Sequence, residues 1–157
     1  MNTDKGNETK ELSSVIPENI RKKIWESGAG EEHFQQVYRV AKWGKLEEKA
    51  FVSTYEEILQ GWIPDRYSKE EVGTYSTSVY TSRKNCDKFI NCLKRSVRLR
   101  KEYPHPVLLT GNTSHGLVQR TAERVSDNSD STHIDWWIFE GALKKAVRNF
   151  RICEESD

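Results

Sequence analysis

Residues 133–139, HIDWWIF, are the most strand-like stretch of the chain. Ile134, Trp136 and Ile138 fall on one side of an extended backbone; His133, Asp135, Trp137 and Phe139 fall on the other. Other short stretches share this period. VYRVA sets Val37, Arg39 and Ala41 against Tyr38 and Val40. YSTSVYTS sets Tyr75, Thr77 and Val79 against Ser76, Ser78 and Tyr80. PVLLTGN reads as a buried strand ending in a turn, and NFRIC adds a last strand. Short strands, with helices between the early ones, predict an α+β fold of mostly antiparallel sheet with flanking helices. A doubly wound parallel sheet needs longer apolar strands with regular helices between them.

The helices leave clear marks. In PENIRKKIWES, Pro17 suits a helix start, Ile20 and Ile24 lie one turn apart with Trp25 beside them, and Gly28 and Gly30 stop the helix. Ser53 stands three residues before Glu56, a capping-box spacing, with Ile58, Leu59 and a closing Gly61 after it. Ser68 and Glu71 repeat that spacing. The best helix comes after the serine-rich strand: Cys86, Phe89, Ile90, Leu93 and Val97 form one apolar stripe, Ser82 is its cap, and Pro104 and Pro106 bar its continuation. No internal repeat is present.

A length of 157 residues suits one domain. Residues 1–14 are polar and predict a disordered tail, which leaves 15–157 as the globular unit; residues 126–132 predict an exposed loop. Hydrophobic residues make up only 35 %, but five Trp, six Tyr and five Phe supply enough apolar area to favour a folded core. A net charge of +1 removes any global attraction to nucleic acid or membrane. Three cysteines with no CxxC argue against a disulfide framework. The start of the chain lacks an apolar signal core, and no apolar run approaches the ~18 residues that span a bilayer. A cytoplasmic protein with no membrane partner is expected.

Motif chemistry is sparse. The four histidines and three cysteines are not clustered as a metal site requires, so no metal is expected. No G-x-S-x-G, P-loop or G-x-G-x-x-G occurs. Arg83, Lys84, Lys88, Lys94, Arg95, Arg98, Arg100 and Lys101 make a basic helix over 83–101. It reads as a solvated helix face or as a non-catalytic surface for RNA, DNA or an acidic protein. A plain interaction domain using aromatics around Trp62 or Trp137 is a further reading. Polar groups also interrupt the strands: Arg39 in VYRVA, Ser76, Thr77 and Ser78 in YSTSVYTS, and Asp135 in HIDWWIF. A charge beside so much apolar surface must be paired or hydrated. Arg39 and Asp135 pair in the core, lie on an exposed sheet face, or line a ligand cleft.

The order of these elements resembles the arginine–serine–glutamate layout of ADP-ribosyltransferases. An arginine strand comes first, then an aromatic-Ser-Thr-Ser strand with a helix straight after it, then a late acidic strand. The resemblance covers about residues 35–140. It implies a split β-sandwich-like fold and NAD as substrate. Arg39 is then the NAD-contacting arginine, Tyr75, Ser76, Thr77 and Ser78 shape the nicotinamide pocket, and Tyr38, Tyr80, Trp136 or Trp137 is available to stack on a ring. Where the family carries Glu-x-Glu, this chain has His133, Ile134 and Asp135, so Asp135 is the expected catalytic acid and a shorter one; Glu140 is the nearest glutamate and the alternative. An active member cleaves the nicotinamide–ribose bond through an oxocarbenium-like state and passes ADP-ribose to a protein or nucleic-acid acceptor; a degenerate member only binds.

Overall fold

Residues 10–125 and 131–154 are described by the structure, a computed structural model. Six strands form one open, wholly antiparallel sheet in the order β4-β5-β2-β1-β3-β6. They are β1 (Val37–Ala41), β2 (Thr77–Tyr80), β3 (Val107–Gly111), β4 (Gly116–Arg120), β5 (His133–Ile138) and β6 (Phe150–Ile152). The helices are α1 (Glu18–Glu26), α2 (Thr54–Leu59), α3 (Lys84–Arg95), α4 (Val97–Glu102) and α5 (Leu143–Arg148). The α+β, antiparallel expectation holds.

Alternation along β5 builds the two sides of the sheet. Ile134 and Trp136 join Val37, Val79, Leu109 and Val118 in one core, covered by Ala50 and Phe51 of a 3₁₀ turn and by Ala146 of α5. Trp137 joins Leu117 on the other side, under Ile20 and Ile24 of α1. Two adjacent tryptophans thus anchor opposite cores, so neither is free to stack on a ligand ring: both are almost fully buried. The same burial removes Trp137 as a surface aromatic. Trp25, expected beside the α1 isoleucines, is instead half exposed.

Residues of the segment expected to be a tail pack against the fold before residue 15. Leu12 is 4 % exposed and bridges Phe139, and Glu140 donates its backbone N–H to the Glu11 carbonyl. Burial of Leu12, the bond from Glu140 to Glu11 and the Ser14 N–H donated to the Glu140 carboxylate together dock this segment. Residues 1–9 of the expected tail, and residues 126–130 of the expected loop, lie outside the described residues.

Local signals account for most boundaries. The Ser53 hydroxyl accepts the Glu56 N–H at 3.1 Å and starts α2 as its spacing predicts. The second such spacing starts no α-helix; Val72–Tyr75 form a 3₁₀ turn instead, which places Tyr75 and Ser76 before β2 rather than in it. The long basic helix is two helices. Ser96 is extended (ψ 125°) and its hydroxyl accepts the Leu99 N–H at 3.2 Å, ending α3 and capping α4. The apolar stripe therefore stops at Leu93, and Val97 is 61 % exposed.

Two joints break the regularity of the sheet. β1 meets β3 over five residue pairs but meets β2 at one, Tyr38 with Tyr80. Beyond that pair the β1–β2 ladder opens, between the β4-β5-β2 side and the β1-β3-β6 side of the one sheet. At the outer edge, β4 is covered: Val118 exchanges both backbone hydrogen bonds with Gly30, at 2.7 and 3.0 Å.

Gly44 closes β1 with φ at +82°, and a Cβ added there would stand 2.5 Å from the His105 carbonyl oxygen. Gly44→Ala is expected to destabilise the protein by about 2 kcal/mol or more, because left-handed strain and a backbone clash add. Urea denaturation measures this, and a loss below ~0.5 kcal/mol would contradict it.

Candidate functional site

Arg39 sits where β1 and β2 part. The pairing of Tyr38 with Tyr80 places Tyr38, Val40, Ser78 and Tyr80 on one face, and Arg39 starts from the other. Its guanidinium enters the split. Nε donates to the Ala50 carbonyl and Nη1 to the Ser78 carbonyl, both at 2.6 Å. The Ser78 carbonyl of β2 thus takes from the Arg39 side chain a donor that a longer β1–β2 ladder would supply, and the Ala50 carbonyl of the 3₁₀ turn takes the other. Burial lowers the guanidinium below the usual arginine range, and Glu57 opposes that shift. Arg39 does not pair with Asp135.

A cavity of about 540 Å³ opens beside this joint. Arg39, Val40 and Lys42 line it from β1 and its end, Ser78 and Tyr80 from β2, and Cys86, Phe89 and Leu93 from α3. Thr54 and Glu57 of α2, Arg66 and Tyr67 of the following segment, Leu99 of α4 and Tyr103 also line it. Two of the protein's exposed aromatics, Phe89 and Tyr67, face this space. The carboxylate in its wall, Glu57, pairs with Lys42 at 2.8 Å and is buried. Burial, with Glu102 adding to it, pushes the Tyr103 hydroxyl up to about 12. Cations, a buried acid and several rings in one concave space suit a ligand that is anionic at one end and aromatic at the other.

Asp135 is not in this cavity. It is 1 % exposed. Ser76 donates to its Oδ1 at 2.7 Å, while Thr121 and Arg124 donate to its Oδ2 at 2.8 Å each. Arg124 also donates to Glu71 at 3.0 Å and to Gln119 at 2.8 Å. Gln119 in turn donates to the Ser27 carbonyl at 2.7 Å, tying α1 into the network. The Asp135 partner expected in Arg39 is thus supplied by Arg124. No periodicity marks Arg124: it comes after the 3₁₀ turn Thr121–Glu123, and its sequence signal is no more than a lone cation near the acidic strand.

The remaining candidates separate. Ser78 places its Oγ 2.9 Å from His133 Nε2. Thr77 donates to the Phe51 carbonyl at 2.6 Å on the opposite face. Tyr75, Thr77 and Glu140 line a second, smaller cavity of about 160 Å³. Glu140 accepts the Ser14 N–H at 2.9 Å. Glu56 also borders this cavity; burial raises its carboxyl above the usual range, and Glu140 adds to the rise. The eight basic residues of 83–101 fall on α3, α4 and their ends, where Arg83 pairs with Asp87 and Arg98 with Glu102.

Among the described residues no helix is long and apolar enough to cross a membrane, and no group of three or more His, Cys, Asp or Glu residues gathers as a metal site. No protein-family model, curated protein or solved structure matches the chain.

Proposed function

We propose that this chain is an ADP-ribosyltransferase-like protein that binds NAD in the cavity beside the split of the sheet. The observation that carries the reading is the meeting of Arg39 and Ser78 at the split, on the wall of a cavity also lined by Tyr80, Phe89 and Tyr67. The pyrophosphate lies toward Arg39 and Arg66, and one of the two bases lies against the aromatic wall. Tyr75, Ser76 and Thr77 support the strand rather than touch the dinucleotide, and Asp135 anchors Ser76 from below. With both Asp135 oxygens engaged, efficient turnover through that carboxylate is not part of this reading.

The alternative is a non-catalytic module that presents the basic faces of α3 and α4 to a nucleic acid or an acidic protein. The division of these cations between two helices makes it the second choice.

NAD at about a hundred times its Kd should stabilise the fold by about 2.7 kcal/mol, a rise in Tm of about 5–10 °C for a chain of this size. Arg66 is exposed and lines the cavity, so Arg66→Glu should keep the unliganded Tm and lose most of the rise. Scanning fluorimetry with millimolar NAD reads both. A flat response in the unmodified protein would overturn the reading.

A further inference from the structure

We propose that Ser78, activated by His133, is itself the acceptor of the ADP-ribosyl unit, so that the protein modifies its own cavity wall. This rests on the reading of the cavity as an NAD site. Nothing in the local sequence announces a nucleophile, because His133 lies 55 residues from Ser78. The sheet brings them together: β2 and β5 run antiparallel, with Ser78 opposite Asp135 and Tyr80 opposite His133.

Three observations converge on this hydroxyl. Ser78 Oγ stands 2.9 Å from His133 Nε2, the separation of a nucleophile and its general base. The Tyr80 ring stacks on the imidazole, with centroids 5.2 Å apart and planes 21° apart, which restrains the plane of the His133 ring beside Ser78. Ser78 also lines the cavity, and its carbonyl accepts from Arg39, the cation assigned to the pyrophosphate. The group that holds the phosphates and the hydroxyl that attacks therefore belong to one joint, which places the nicotinamide-bearing ribose within reach of Oγ. Asp135, opposite Ser78 in the ladder, has both oxygens occupied and is not placed to serve as the base.

The step balances without another reagent. With the imidazole proton on Nδ1, the Ser78 hydroxyl donates to Nε2. As the bond from the ribose anomeric carbon to the pyridinium nitrogen breaks, its electron pair neutralises the ring and nicotinamide leaves. Oγ bonds to the anomeric carbon, and its proton passes to His133 Nε2. The products are one O-linked ADP-ribosyl serine, one nicotinamide and one proton. The reaction occurs once per chain, because the product fills the site.

The test incubates the full chain with NAD, tracks intact mass and nicotinamide by chromatography, and maps the adduct by peptide sequencing. The expected result is a mass gain of one ADP-ribosyl group on Ser78 with one equivalent of nicotinamide. His133→Asn should slow adduct formation about a hundredfold or more, and Ser78→Ala should form none. Mapping on the unmodified chain needs no variant, so a poorly folded mutant cannot obscure the answer. A rise in Tm with NAD but no mass gain would overturn the self-acceptor proposal and leave the binding reading standing. An adduct on another residue, or continued nicotinamide release without an adduct, would also overturn it. Neither a Tm rise nor an adduct would overturn both.

Discussion

Asp135→Ala is expected to destabilise the protein by about 3–5 kcal/mol, lowering its Tm by roughly 6–20 °C. Asp135 is the centre of a buried polar network rather than an isolated acid. Its removal leaves the Ser76 and Thr121 hydroxyls and the Arg124 guanidinium with lost acceptors in a site closed to water. Glu71 and Gln119 still hold Arg124, and the Ser76 hydroxyl can turn its one proton to the Gly73 carbonyl, 2.9 Å away, which favours the lower part of that range. Asp135→Asn keeps an acceptor for one hydroxyl but loses the charge facing Arg124, so it should fall between wild type and alanine. Arg124→Met should cost at least as much as Asp135→Ala, because it strands a carboxylate with 1 % exposure. Urea midpoints at constant m decide the order. An Asp135→Ala loss under ~1 kcal/mol would show that the network is not a structural centre.

Arg39→Ala is the second large effect. Two charge-assisted hydrogen bonds, each worth about 1.5–3 kcal/mol, tie Arg39 to Ser78 across the joint where β1 and β2 share a single residue pair and to Ala50 of the 3₁₀ turn. Part of that loss is recovered because water can reach the half-buried site, so a net cost of about 2–4 kcal/mol is expected. Arg39→Lys keeps the charge but cannot reach two carbonyls with one planar fork, and should restore less than half of the loss. The alanine variant should also lose the NAD-induced rise in Tm. A variant of wild-type stability that still responds to NAD would contradict both the structural and the binding role of Arg39.

The residues that disclose the fold are those whose side-chain pattern repeats. Ile134, Trp136 and Trp137 are legible because a period of two on a bulky strand allows few other backbones. Cys86 and Leu93 are legible for the equivalent helical reason. Trp25 escapes this logic because adjacency to Ile24 in sequence is not adjacency on a helix face. Val97 escapes it because Ser96 caps a new helix, and a cap competes with a helix interior without breaking the apolar spacing. The site is less legible still. Sequence order brings Arg39 and Ser78 to one place, but their contact runs through the Ser78 backbone, and a sequence does not show which carbonyls a sheet leaves unpaired. Arg124 stays hidden because its partners, Glu71, Gln119 and Asp135, come from separate parts of the chain. The Ser78–His133 contact depends on the β2–β5 register, which no local motif encodes.

The Gly30 bridge to Val118 has a meaning beyond the packing of one molecule. A row of unsatisfied amides on an outer strand is a template on which a second chain can grow. Here both main-chain groups of the middle residue of β4 are already engaged by the protein's own backbone. At the opposite margin, β6 offers only three residues, with a charged Arg151 exposed among them. A sheet whose strands are mostly apolar thus has part of its outer edge closed to a neighbour, so loosening the segment around Gly30 would threaten solubility before it threatened the core.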